Sequence, residues 1–105
     1  MEPLRNKPLD EAKRLINSDR NKEYGEPVEN FRDIAEMMTV LIRPILKTGA
    51  KVRVEHVAMI MMAVKLSRMT TSPDKADTWI DICGYAGTGY EAMEIMNGIE
   101  HSESS

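Results

Sequence analysis

Apolar residues return every three or four positions in four separate stretches of this chain, with polar breaks between them, and that spacing predicts helices. In the first stretch Leu9, Ala12, Leu15 and Ile16 share a face, giving a short helix over 9–18 behind Pro8 and Asp10. The segment from Asp19 to Pro27 is polar apart from Tyr24, contains Gly25, and reads as a loop or a frayed helix end. Pro27 suits a first helical position, where its fixed φ and missing N–H do no harm. From there Val28, Phe31, Ile34, Ala35, Met38, Leu41, Ile42 and Ile45 form one stripe. A second helix is therefore expected over 27–47, bent near Pro44 and capped by Gly49.

The third stretch, Val54 to Met69, is apolar nearly all round, and a helix without a polar face belongs at the centre of a fold. Just before it, Val52 and Val54 alternate with charges, a pattern that also fits a short strand. Ser72-Pro73-Asp74 is a strong helix start, a capping serine followed by proline and an acid. The last helix then carries Ala76, Ile80, Cys83, Gly87 and Tyr90 on one face, widened by Trp79, Ile82, Ala86 and Met93. Its expected end is Asn97-Gly98, with an ordered region over about 9–97 and a flexible tail over 98–105. With no repeat and no dividing linker, the expected fold is an all-α single domain, a compact four-helix bundle. Nine methionines and a long apolar stripe also suit packing against a second copy, so a homo-oligomer is expected.

Length and charge narrow the classes of function. A chain of 105 residues makes one domain that buries roughly 60 to 70% of the surface its unfolded form exposes. Seventeen acidic residues nearly balance fourteen basic ones, for a net charge of −3. That balance argues against non-specific nucleic-acid binding, which needs a basic surface, and equally against a DNA mimic. One cysteine and two histidines build neither an internal disulfide nor a zinc site of standard spacing, which fits a reducing cytoplasm. No apolar run reaches about 18 residues, and MEPLRNKPLDEAK lacks the apolar centre of a signal peptide. The expectation is a soluble cytoplasmic protein with no membrane partner.

Candidate chemistry gathers on the last two helices. Lys65 and Arg68 lie within the most apolar stretch, three residues apart and so on nearly the same side. A cation placed there is costly unless it is paired, opens on a cleft or holds a ligand. Asp77, Asp81 and Tyr85 follow at steps of four on the next helix. If the two helices pack antiparallel across Thr70 to Pro73, the basic and acidic pairs face each other.

One reading of that meeting is an ion-pair network that sets helix register. The other is a site for a nucleotide or another phosphate compound, with Lys65, Arg68 and Arg20 on the phosphate and Asp77 and Asp81 holding Mg²⁺. Glu29, Asp33 and Glu36 on the second helix would supply further metal ligands, or simply form a solvated face. Gly84, Gly87 and Gly89, in a helix where each glycine costs about 1 kcal/mol relative to alanine, point to close approach of another helix or subunit. The segment lacks the strand and the Gly-Lys-Ser/Thr ending of a phosphate-binding loop. Tyr24 and Tyr85 could stack on a base or plug the core. His56 and His101 are isolated, no Ser-His-Asp or Cys-His set is visible, and Cys83 falls on an apolar face.

Arg20-x-x-x-Tyr24-Gly25-x-Pro27-x-x-Asn30-Phe31, then Lys65-x-x-Arg68, then Asp77-x-x-x-Asp81-x-x-Gly84-Tyr85, together resemble a family of small helical proteins encoded by tailed bacteriophages and prophages. The resemblance covers about residues 10 to 90 and implies that these residues form a shared centre. A more distant similarity is to the MazG-type all-α nucleoside triphosphate pyrophosphohydrolases, which bind Mg²⁺ through acidic motifs on two helices. Those enzymes use E-x-x-E and E-x-x-D, where this chain has Glu26-x-x-Glu29 and Asp77-x-x-x-Asp81. What the resemblances imply is a phage accessory protein in the host cytoplasm. It would be either pyrophosphohydrolase-like or a non-enzymatic factor that sequesters a signalling nucleotide or blocks a host defence protein.

Overall fold

The computed structural model describes residues 2–18 and 25–104, and among them four α-helices form and no strand does. They are α1 Asn6–Ile16, α2 Pro27–Ile42, α3 Val54–Met69 and α4 Ala76–Ser104. Three contacts along their length run α3 and α4 antiparallel. Arg53, next to the start of α3, bonds Glu100 near the end of α4. Ala58 abuts Gly89. Lys65 pairs with Asp81. α2 packs across both helices, and α1 packs on α4. The buried centre is Phe31, Ala35, Val54, Val57, Ala58 and Ala92, with Val28, Ile34, Met38, Met61, Tyr85 and Met96 around it.

Several element boundaries differ from the sequence expectation. α1 starts at Asn6 rather than Leu9, because the first four N–H groups of a helix need no intrahelical acceptor and Pro8 therefore fits its first turn. It ends at Ile16, where the Asn17 side-chain amide donates to the Lys13 carbonyl at 2.8 Å. α2 begins at Pro27 as expected but stops at Ile42. Pro44 has no N–H to continue it, and Arg43–Ile45 tighten into one 3₁₀ turn. Gly49 caps no helix. Its φ of +83° serves a turn closed by the Ala50 N–H on the Lys47 carbonyl at 2.9 Å. In place of the strand allowed for at Val52 and Val54, the Val52 N–H donates to the Thr39 hydroxyl at 2.8 Å, so a side chain satisfies it.

α3 is less central than its composition predicts. It buries Val54, Val57 and Ala58, but leaves Met59 and Leu66 each 55% exposed and Ile60 and Val64 each 42% exposed. α4 runs 29 residues, through Gly98 and on to Ser104, past the stop expected at Asn97-Gly98. A clamp from the other end of the fold extends it. Arg53 donates through Nη1 and Nη2 to the two Glu100 oxygens at 2.9 and 3.1 Å, through Nη2 to Asn97 at 3.3 Å, and through Nε to Glu55 at 2.7 Å. The hydrogen bond from Arg53 holds the Glu100 carboxyl below the usual carboxylate range. Burial pushes the Glu55 carboxyl up, but its own backbone N–H and Arg53 together outweigh that and leave it lowered.

Candidate functional site

Lys65 reaches its position because an apolar helix carries it inward. Its side chain is only 15% exposed, and Nζ stands 3.0 Å from Asp81 Oδ2. Asp81 is 40% exposed, so the pair lies half in and half out of water. It forms one wall of a cleft of about 420 Å³. α1 supplies an apolar wall of Ala12, Leu15 and Ile16. The entry to α2 supplies Gly25, Pro27, Asn30 and Phe31, and α4 adds Ile80, Gly84, Tyr85 and Thr88.

Backbone conformation and small residues open this space. Gly25 at the cleft's edge has φ +84°, a left-handed conformation that strains any residue with a side chain. Gly84 and Gly87 bring α1 close: a Cβ at either would stand 3.4 or 3.5 Å from the Ile16 side chain. The Tyr85 and Phe31 rings meet at 6.5 Å between centroids, tilted by 33°, and fix the floor. The Thr88 hydroxyl is turned back onto the Gly84 carbonyl at 3.0 Å. At the cleft wall stand one ammonium with donors to spare beyond its bond to Asp81 and one carboxylate with spare acceptors.

Of the residues singled out from sequence, the structure brings Asn30, Lys65, Asp81 and Tyr85 to this one cleft, together with Gly25 and Phe31. It leaves Arg68, Asp77, Glu29, Asp33 and Glu36 exposed and outside the cleft walls. The basic and acidic pairs therefore meet through one member each. Arg20 and Tyr24 lie outside the described residues. The apolar wall from α1 shows in the sequence only as an i, i+3, i+4 spacing, and spacing does not say what the face packs beside. A second hollow of similar size, about 400 Å³, lies between α2 and the end of α4, and none of the phage-family pattern residues lines it.

Asp77 and Asp81 are one turn apart, but Asp81 is engaged by Lys65. Among the described residues no three His, Cys, Asp or Glu side chains converge. Among the described residues, too, no helix is long and apolar enough to cross a membrane.

A family model described as "Domain of unknown function (DUF6378)" matches residues 7–93, which include every residue of the cleft. Two Gene 55 proteins are similar. That of Mycobacterium phage D29 is 37% identical over 79 residues, covering 75% of this chain and 48% of that protein. That of Mycobacterium phage L5 is 34% identical over 87 residues, covering 83% of this chain and 52% of that protein. The chain thus spans about half the length of the curated relatives it matches. No solved structure matches it.

Proposed function

Starting from a chain that belongs to the DUF6378 family, with relatives in mycobacteriophages, we propose that it is a phage-type accessory protein that binds a nucleotide or similar phosphate compound in this cleft. The observation that supports the reading is Lys65: a cation drawn to 15% exposure, paired on one side, at the wall of a space lined about equally by apolar and polar surface. A ligand suited to such a space has an apolar, planar body and one anionic end. The body lies against Ile16, Phe31 and Tyr85. The anionic end takes the free donors of the ammonium, and the spare Asp81 oxygen accepts from a sugar hydroxyl or a base amino group.

The proposal is one of binding, and no hydrolytic step is part of it. Any magnesium would arrive with the ligand, held chiefly by phosphate oxygens and water.

The test is thermal unfolding with nucleoside mono-, di- and triphosphates, each with and without MgCl₂. A nucleotide at about 100 times its Kd should raise Tm by roughly 10 °C or more in a domain of this size. Lys65→Met should abolish the shift while leaving the fold intact by circular dichroism. If no nucleotide at millimolar concentration moves Tm, the reading fails.

A further inference from the structure

The outer flank of α4 carries a stripe with the same character read from either end. Lys75, the residue just before α4, and Trp79, Cys83, Ala86, Tyr90 and Glu94 on the helix follow at steps of four, four, three, four and four residues, which keeps the five helical ones on one side for about four turns. About a midpoint between residues 84 and 85, Lys75 mirrors Glu94, Trp79 mirrors Tyr90, and Cys83 mirrors Ala86. The stripe thus sets base against acid, aromatic against aromatic and small against small.

Cys83 is half-buried, and the rest of the stripe is exposed. Trp79 is 52% exposed and Tyr90 64% exposed. Lys75, Ala86 and Glu94 are exposed, and neither Lys75 nor Glu94 has an ion-pair partner among the described residues. α1 sits against Gly84 and Gly87, and the core with α2 lies beyond Tyr85, so both occupy other sides of α4. The antiparallel register places the outer flank of α3 alongside, where Met59, Ala63 and Leu66 are exposed as well. That neighbouring strip of α3 adds no charge. Trp79 is also pinned, its indole N–H donating to the Pro73 carbonyl at 2.9 Å, so holding it for a partner loses little side-chain freedom.

We propose that this face docks a second copy of the chain, α4 against the partner's α4, antiparallel across a twofold axis passing between residues 84 and 85. A twofold interface presents one patch to itself, and a stripe with mirrored character meets that requirement. The twofold sets Lys75 of each copy beside Glu94 of the partner subunit, and Trp79 beside Tyr90 of the partner subunit. Cys83 and Ala86 at the crossing let the helix axes approach.

The apolar area is of the order a dimer needs. Trp79 and Tyr90 leave roughly 100 Å² each to cover, given the 150–250 Å² an aromatic side chain can bury. Met59 and Leu66 about double that. The sum, on the order of 400 Å², approaches the apolar share of the roughly 800 Å² per partner in a standard interface.

Sedimentation velocity across a dilution series tests this, because the charge swaps lie at the surface and leave the core untouched. The intact chain should sediment as a dimer, at twice its 11.9 kDa mass, and dissociate on dilution. Lys75→Glu and Glu94→Lys should each weaken the dimer roughly fivefold or more, and the two together should restore it. Ala86→Cys should cross-link through Cys83 of the partner subunit under mild oxidation, while Thr48→Cys, in the distant 47–50 turn, should not add a cross-link. A chain that stays monomeric to about 100 μM overturns the proposal, and so does a dimer indifferent to both single swaps. The nucleotide response does not enter these readouts, so the two proposals stand or fall separately.

Discussion

At Gly89 the α3 and α4 backbones leave no room for a methyl group: a Cβ there would stand 2.5 Å from the Ala58 Cβ, an atom fixed to its own backbone. Gly98 lies on the same helix with nothing within 4 Å. The same substitution should therefore have opposite signs at the two sites. Gly98→Ala should stabilise by up to about 1 kcal/mol through helix propensity alone. Gly89→Ala should destabilise by roughly 1 to 2 kcal/mol, because overpacking outweighs that gain. Urea denaturation of the two variants checks both signs.

The glycines were legible as a mark of close approach, although spacing could not assign them to α1 and α3 rather than to a subunit. Lys65 and Asp81 were legible as a pair because a short turn brings antiparallel helices into register. Arg68 and Asp77 were not separable from them by spacing. Arg68 is almost one turn farther along α3, and Asp77 stands at the very start of α4; both clear the cleft.

Among the elements, α4 shows how a distant contact overrides a local signal. Asn97-Gly98 reads as a stop, yet Arg53, 47 residues from Glu100, holds the following turn to the start of α3. Both acids of that clamp have lowered pKa values, Glu100 through the hydrogen bond from Arg53 and Glu55 against the opposing pull of burial. Carboxylates lowered on folding contribute stability that is present above their ordinary pKa and is lost as pH falls through the folded value. The last turns of α4 should thus hold at neutral pH and loosen below about pH 4.5, the ordinary carboxylate value. Amide protection over residues 97–102, corrected for the intrinsic pH dependence of exchange, should fall across that range. In Glu100→Gln it should already be low at neutral pH. α2 is the contrasting case: Pro27 and Pro44 act on their own backbone, so its start was readable and its end missed by only a few residues.

For the molecule as a whole, one-dimensional pattern identified an all-α domain but did not set which faces would be covered. α3 is apolar nearly all round, which predicts a central position. With α2 and α4 against it, however, the described fold runs out of helices, and Met59, Ile60, Val64 and Leu66 stay exposed. The resulting body is elongated, 51 × 33 × 25 Å, with α4 spanning roughly 43 Å of it by helical rise alone. Cleft and stripe occupy opposite flanks of α4, so a ligand and a second copy would not compete for the same atoms.

Trp79 is the chain's sole tryptophan. Its indole, tethered to Pro73 and half exposed on the stripe, stands away from the cleft. Intrinsic fluorescence is therefore a label-free reporter of one flank alone. Diluting the protein through its association range should shift the emission to the red as water reaches the ring. Saturating the cleft should leave the colour of that emission unchanged.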